Sequence, residues 1–313
     1  MGFRALQNNM VTIKYYLVKS FLLFLALPLL ISERIPQTKK LPLIPTYQDT
    51  LFTGPKGMGK LQNKTIDEAS GLAFSRIHPG TLYTHNDSGG DPVIYMIDTK
   101  GRHVGEVKLL GVENRDWEDI AIGPGSEQDR DYIYVGEIGD NKAQYDQIKI
   151  FRIPEPKVLE KKLEMKPEIL ILNYPDGAKD AETLMVDPIT QDIFILSKRD
   201  SVNILYRAPQ TAFTQGEYVL ERVMELPFTM SVAGDISADG SQIIIKNYLM
   251  VFYWEREEGE TVPEALRRKA KILPYKPEPQ GEAIAFDPQG NAYYTLSEIR
   301  SKIQPVLYRY DKK

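Results

Sequence analysis

Five acidic residues recur along the chain, Glu68, Glu118, Glu182, Asp235 and Glu282, at intervals of 50, 64, 53 and 47 residues. Each opens a phrase of small and apolar residues: Glu68-Ala-Ser-Gly-Leu-Ala-Phe74, Glu118-Asp-Ile-Ala-Ile122, Glu182-Thr-Leu-Met-Val186, Asp235-Ile-Ser-Ala-Asp239 and Glu282-Ala-Ile-Ala-Phe286. Carboxylates brought together raise one another's pKa or bind a cation. With backbone carbonyls and water they suit a hard ion such as Ca²⁺, which takes roughly 6–8 oxygens. The plainer alternative is that each acid caps its own turn or pairs with a nearby Lys or Arg. If the repeats close into a ring, the five acids converge and form a metal site.

A second set of polar residues follows 11 to 18 positions after each acid, and here the repeats differ. The segments are His85-Asn-Asp-Ser-Gly-Gly90, Gly136-Glu-Ile-Gly-Asp-Asn141, Ser197-Lys-Arg-Asp200, Lys246-Asn-Tyr248 and Ser297-Glu-Ile-Arg300. Positions that break a repeat's own rule are where a site is expected. Acids gather on one side, with Asp87, Glu137, Asp140 and the nearby Asp116, and cations on the other, with Lys198, Arg199 and Lys246. A metal beside Lys and Arg suits a phosphorylated or carboxylated ligand. In a hydrolytic reading Asp87 or His85 orients water, while Asn86, Glu137, Asp140, Asn141, Lys198, Arg199 and Lys246 line the ligand site. The alternative is a set of ordinary polar turns.

The elements that must position these residues are short strands. After each acidic phrase comes a turn rich in Pro, Gly and Asp, then apolar runs such as Tyr132-Ile-Tyr-Val135 and Gln242-Ile-Ile-Ile245, then a third run and, in four repeats, a fourth. Ile, Val, Tyr, Phe and Thr dominate them, as suits a pleated surface. Four antiparallel strands per repeat of about 40–50 residues predicts an all-β fold, a β-propeller of five blades. The last repeat ends without a fourth strand, so a strand from between Thr46 and Ile66 is expected to close the ring. The charged stretch Pro154–Lys166 reads as an insert, or alternatively as a degenerate sixth blade. Helical character is confined to Val158–Met165 and Pro263–Lys271. Gly54-Pro-Lys-Gly-Met-Gly-Lys60 matches the start of a phosphate loop, but Leu61 stands where Ser or Thr is needed and no helix pattern follows.

Of 313 residues, 42% are hydrophobic, enough for a large core, and the net charge of −4 offers no basic footprint for nucleic acid. With no cysteine, disulfides, thiol catalysis and Cys-based zinc sites are excluded. Arg4, Lys14 and Lys19 precede the apolar run Phe21–Ile31, the pattern of an export signal over residues 1–31. No small-x-small cleavage site follows Ile31, so an uncleaved anchor stays open as the one contact with a membrane. Residues 32–45 read as a linker, residues 46–313 as the propeller, and the expected location is periplasmic or extracellular.

Glu-Ala-Ser-Gly-Leu-Ala, His-Asn-Asp-Ser-Gly-Gly, Asn114-Arg-Asp-Trp-Glu-Asp-Ile-Ala121, Gly136-Glu-Ile-Gly-Asp-Asn141 and Tyr174-Pro-Asp-Gly-Ala-Lys-Asp-Ala-Glu182 together resemble a largely uncharacterised group of exported bacterial β-propeller proteins. That resemblance implies fold and export. Leu82-Tyr-Thr-His-Asn-Asp-Ser-Gly89 is also similar to a turn of the soluble calcium-activated nucleotidases (apyrases), with Asp87 and Gly89 at matching places and Ser88 for Thr. The apyrase resemblance implies five blades around an axial Ca²⁺; the rest of that family's substrate-binding pattern is not evident. Three readings follow: a calcium-stabilised propeller binding a small anionic ligand or a protein at its acidic mouth, a calcium-dependent phosphoester or phosphoanhydride hydrolase, and a structural scaffold of the envelope.

Overall fold

The computed structural model describes residues 51–313. The predicted export signal and linker lie outside the described residues. The first strand, β1 (Lys56–Lys60), is followed by β2 (Ala69–Phe74), β3 (Thr81–Asn86), β4 (Val93–Asp98) and β5 (His103–Leu109), four antiparallel strands that make the first blade. The second blade is β6 (Trp117–Pro124), β7 (Asp131–Glu137), β8 (Gln147–Pro154) and β10 (Glu168–Asn173). The third is β11 (Ala181–Val186), β12 (Ile193–Ser197), β13 (Asn203–Ala208) and β15 (Glu221–Leu226). The fourth is β16 (Ser231–Ile236), β17 (Gln242–Asn247), β18 (Val251–Glu255) and β19 (Lys271–Leu273). The fifth joins β20 (Ala283–Phe286), β21 (Ala292–Leu296) and β22 (Val306–Asp311) to β1.

Ring closure therefore runs through the N-terminal strand. β1 pairs antiparallel with β22, Lys56 opposite Arg309 and Lys60 opposite Val306, which removes an open sheet edge. The glycine-rich segment thus forms an edge strand rather than a phosphate loop. Phe52, just before it, is fully buried and meets Tyr253 and Tyr293 edge-on at 5.8 and 5.1 Å. An aromatic edge contact of this kind fastens the start of the described chain to the fourth and fifth blades.

The charged insert is not a sixth blade. It carries β9 (Leu163–Met165), which reaches back to pair in parallel with β5 of the first blade. The β13–β15 connection does the same one blade on: a single helical turn, α1 (Ala212–Gln215), leads into β14 (Glu217–Val219), parallel to β10. Val158–Met165, read as helical from its residues, is thus partly strand. Pro263–Lys271 begins as the helix α2 (Val262–Arg267), whose N-cap Thr261 accepts from Glu264 N while Glu264 reaches back to Thr261 N. That reciprocal pair satisfies two donors a helix start otherwise leaves open.

Four of the inner strands, β2, β6, β11 and β20, are buried from end to end save for Pro124, and small residues such as Ala69, Ser70, Ala121, Ala181, Ala233 and Ala283 let them approach the axis. Large apolar side chains fill the spaces between blades instead, as where Met185, Phe194, Leu196, Ile236, Ile243 and Trp254 pack together between the third and fourth. This division fixes the starts of the inner strands rigidly in space, and the starts carry the acids.

Candidate functional site

The expected ring of five equivalent acids does not form as such, and strand register shows why. Ala181 pairs with Ser197, Trp117 with Glu137 and Ser231 with Asn247, and a bulge follows each pair. That register makes Glu118, Glu182 and Val232 equivalent, and Glu282 holds the same place before β20. In the first blade the position falls on Ser70, which forms a bridge to Glu282 and donates its Oγ to the carbonyl of Glu118 at 2.5 Å. Three acids, not five, thus make the inner tier: Glu118, Glu182 and Glu282.

Glu68 belongs to a different tier. Its carbonyl accepts from Asp87 N, as that of Asp116 does from Gly139 N, that of Asp180 from Lys198 N and that of Gln280 from Glu298 N. Glu68, Asp116, Asp180 and Gln280 are therefore equivalent, two residues before Ser70, Glu118, Glu182 and Glu282. Asp235 stands three residues past the inner-tier position, deep in the channel, where its carboxylate accepts from Ile236 N and Phe286 N at 2.8 Å each.

At the mouth the carboxylates crowd. Asp87, Asp116 and Glu118 bring an oxygen each to within 4.8 Å of one another, and so do Glu118, Asp180 and Glu182. Glu118 is common to both groups. Burial pushes the Glu118 carboxyl well up, and Glu182, Asp87 and Asp116 beside it add to the effect. Burial, then Asp116 and Glu282, raise Asp87 to about 8, and burial together with Glu282 raises Glu298 to about 9. The buried Oε2 of Glu182 has no protein partner. Gly139 lies against this cluster so closely that a Cβ there would stand 2.3 Å from Glu118 Oε1 and 2.6 Å from Asp116 Cγ. The chain has left room for the carboxylates at this glycine.

The two sides of the mouth are neutralised differently. Lys198, which is buried, donates to Glu182 and to Tyr248 Oη, lies 3.9 Å from Glu282, and Tyr248 in turn donates to Glu282 at 2.5 Å. Burial works to lower the Lys198 ammonium, but Glu182 and Tyr248 outweigh it and hold the pKa above the usual range. Among the described residues no cation forms an ion pair with Asp87, Asp116 or Glu118, although Lys198 acts on Glu118 and Arg115 on Asp116 from a distance. Arg115 lays its guanidinium over the Tyr145 ring at 4.2 Å and donates to the Gly139 carbonyl.

The remaining residues singled out in the sequence lie around this cluster in varied settings. His85 is fully buried, edge-on to Trp117 at 5.6 Å, with Nδ1 3.0 Å from the Asn86 carbonyl; burial lowers it to about 4, so it stays neutral. It is no solvent-facing base. Asn86 ties the first blade to the loop before it, donating to the Thr65 carbonyl and accepting from Glu68 N. Glu137 is held by Lys149 and by Arg115 N. Asp140 accepts from Gln144 N and Tyr145 N within its own loop, and Asn141 accepts from Arg199. Lys246 is buried and donates to the Gly281 carbonyl; burial lowers it to about 8 against the pull of Glu278 and Glu282. Neither Lys198 nor Lys246 offers its ammonium to solvent. Arg199 does, pairing with Asp180 at 2.5 Å on a polar pocket of about 260 Å³ that Lys142 and Lys179 also line.

Asp116 and Asp180 complete the cluster, and Asp119 was not singled out from the sequence. The legible signal was Asp-x-Glu, written twice, as Asp116-Trp-Glu118 and Asp180-Ala-Glu182. Asp119 is a different matter. It is fully buried on β6 and takes three backbone donors: Ile120 N on Oδ1, Leu184 N and Gly234 N on Oδ2. It thus ties β6 to β11 and, across the channel, to β16.

No family model and no curated protein matches the sequence. Among solved structures, the chain is similar to the WD40 domain of Pan2 from Neurospora crassa, with 10% identity over 85% of this chain and 97% of that one, at a TM-score of 0.44. It is similar to a chain of a nidogen/laminin complex, with 13% identity over 79% and 84%, again at 0.44. A third likeness, to hydrazine synthase from Kuenenia stuttgartiensis, has 15% identity over 74% and 65%, at 0.37. These are distant likenesses, and the five-bladed β-propeller stands on the strand pairing above.

Proposed function

We propose that the protein is a cation-dependent binding propeller, with one hard divalent cation, Ca²⁺ by its oxygen chemistry, seated among Asp87, Asp116 and Glu118. Asp180 and the free Oε2 of Glu182 face the same point from the third blade. The observation that carries the reading is the contrast across the mouth: Lys198 pairs directly with Glu182 and lies 3.9 Å from Glu282, whereas among the described residues no cation forms an ion pair with Asp87, Asp116 or Glu118. A partly buried cluster of carboxylates with no direct ion pair is costly, and a cation of this class removes the cost. The donors are all oxygens, as Ca²⁺ requires, and Gly139 keeps their space open.

The anion that such a cation would help to hold sits on the adjoining pocket. Asp180 is common to cluster and pocket, and Lys142, Lys179 and Arg199 supply positive charge there. A small phosphate- or carboxylate-bearing ligand fits this pairing. Binding is favoured over hydrolysis because Lys198 and Lys246 turn inward and His85 is buried and neutral. Export to the periplasm or the extracellular space, where millimolar calcium is common, is part of the proposal.

Calorimetric titration of the metal-free protein with CaCl₂ tests it. Binding with a Kd of about 1 mM or tighter, a rise in melting temperature on adding Ca²⁺, and loss of both in Glu118→Gln are expected. Inorganic phosphate should then bind only when Ca²⁺ is present. No heat and no thermal shift with Ca²⁺ would sink the metal site.

A further inference from the structure

A large cavity lies far from the acidic mouth. β6 begins beside the mouth at Glu118 and ends at Pro124, so the Pro124–Asp131 turn stands at the opposite face. There, between the second and third blades, that turn and the loop carrying α1 enclose a space of about 810 Å³. A volume of this size falls within the range of small-ligand sites, about 300–1,000 Å³.

Its wall contains a residue that fold stability alone does not explain. Arg152, on β8, is only 1% exposed. Its guanidinium lies 3.8 Å from the ring centre of Phe213 and 5.1 and 5.8 Å from those of Tyr132 and Tyr134. Nη2 reaches Glu168, which is half exposed, and Nη1 reaches Tyr134 Oη at 3.5 Å, but Nε has no partner. A buried guanidinium with an unmet donor is expensive to keep. It is held in place by aromatic faces at the edge of this cavity.

The lining identifies the chemistry. Four carboxylates, Glu127, Asp129, Asp131 and Glu168, outnumber the two arginines, and Arg130 is already taken up by Glu127. An anion would be repelled. Apolar surface such as that of Phe213 and Pro124 is interleaved with these charged and amide groups rather than gathered into one patch, which suits the mixed faces of a sugar better than a lipid chain. A basic peptide would satisfy Asp129 and Asp131 but would bring its cations against Arg130 and Arg152, and the amides of Gln128, Gln191 and Gln210, which also line the space, favour a ligand that offers many neutral donors and acceptors. What remains is an uncharged ligand rich in both donors and acceptors. We propose that this cavity is a saccharide-binding site, with the carboxylates accepting from hydroxyls and Arg152 and the three glutamines donating to hydroxyl and ring oxygens.

The test is calorimetric titration of the full chain with malto-, cello- and chito-oligosaccharides, and separately with tetralysine. At least one oligosaccharide series should bind. The double variant Gln191→Ala/Gln210→Ala, altered only at partly exposed positions, should weaken it at least about tenfold, the loss expected for hydrogen bonds of this kind. Arg152→Lys, which keeps the charge but loses the fork, should do the same, and its melting curve shows whether it folds. Asp116→Asn, at the mouth, should leave sugar binding unchanged, so failure of the metal site and failure of this one are told apart. Silence of the whole sugar panel with folded protein, sugar binding that ignores the glutamine variant, or binding of tetralysine alone would each overturn the proposal.

Discussion

The channel interior and the channel mouth use the same residue types to opposite ends. Inside, the buried Asp119 and the partly buried Asp235 have their carboxylate oxygens met by backbone N–H groups from their own and other inner strands. At the mouth, Asp87, Asp116 and Glu118 are crowded by one another, and Asp87 Oδ1 and the neighbouring Glu182 Oε2 meet no donor. What distinguishes a structural acid from a binding acid here is who occupies its lone pairs. Inner-strand amides that point across a narrow channel need an acceptor, and an acid whose needs are met this way has little left for a ligand.

The comparison breaks if the interior acids prove dispensable. Asp119→Ala leaves three buried N–H groups without acceptors, and a lost acceptor costs roughly 1–3 kcal/mol each. A destabilisation of about 4 kcal/mol is expected, a fall of roughly 10 °C in melting temperature for a domain of this size, while the variant that remains folded should bind Ca²⁺ as the parent does. Differential scanning calorimetry with and without Ca²⁺ measures both. A variant as stable as the parent would remove Asp119 from its structural role.

Gly139→Ala sharpens the other side. It deletes no carboxylate, yet its Cβ would press on Glu118 and Asp116. Cation affinity should fall about tenfold, on the scale of a displaced supporting group, with a much smaller change in the melting temperature of the metal-free protein. Equal losses in both would mean that the glycine serves folding rather than the cluster.

The fold was legible because its signals are local and repeated: apolar runs of strand length, Pro/Gly turns between them, and a missing last strand that only β1 could supply. The site was half legible. Spacing alone aligned Glu68 and Asp235 with Glu118, but a bulge follows the start of the inner strand in four of the five blades. In the first blade two further residues, Ser70 and Gly71, intervene before Leu72. The phrase at Asp235 matched in composition while its register placed Val232 at the inner tier. Register is set by backbone pairing, which one sequence does not display. Asp116 was already grouped with the mouth acids, and Asp180 could have been added from the second Asp-x-Glu, since residues two apart on an extended chain share a face. Asp119 could not, because its partners, Leu184 and Gly234, lie on other blades. The inward turn of Lys198 and Lys246 was equally hidden: a lysine beside an acid in sequence reads alike whether it faces solvent or a buried carboxylate.

The mouth should also reveal itself through pH. Asp87 and Glu298 titrate near 8 and 9 in the folded protein, well above ordinary carboxyl values near 4 in the unfolded chain. The folded state therefore holds more protons than the unfolded state between those limits, and stability falls as pH rises through them. Metal-free protein should lose several degrees of melting temperature between pH 6 and pH 8, below the range in which Lys246, lowered to about 8, acts in the opposite direction. Saturating Ca²⁺ should flatten that slope by replacing the protons. A melting temperature that rises over the same interval would contradict the crowding of the mouth.

The smallest effect is expected at Glu68. It shares the outer tier with Asp116 and Asp180, yet it is exposed, and neither cluster of converging carboxylates includes it. Its charge still reaches Asp87, whose carboxyl it helps to raise. At an exposed position that influence is screened by water and salt. Glu68→Gln should change calcium affinity by no more than about twofold at physiological ionic strength and by more at low salt. Titrations at two salt concentrations separate a field effect from ligation. A loss as large as that of Glu118→Gln, insensitive to salt, would show that the outer tier closes on the cation and that the mouth gathers acids from the first blade as well as the second and third.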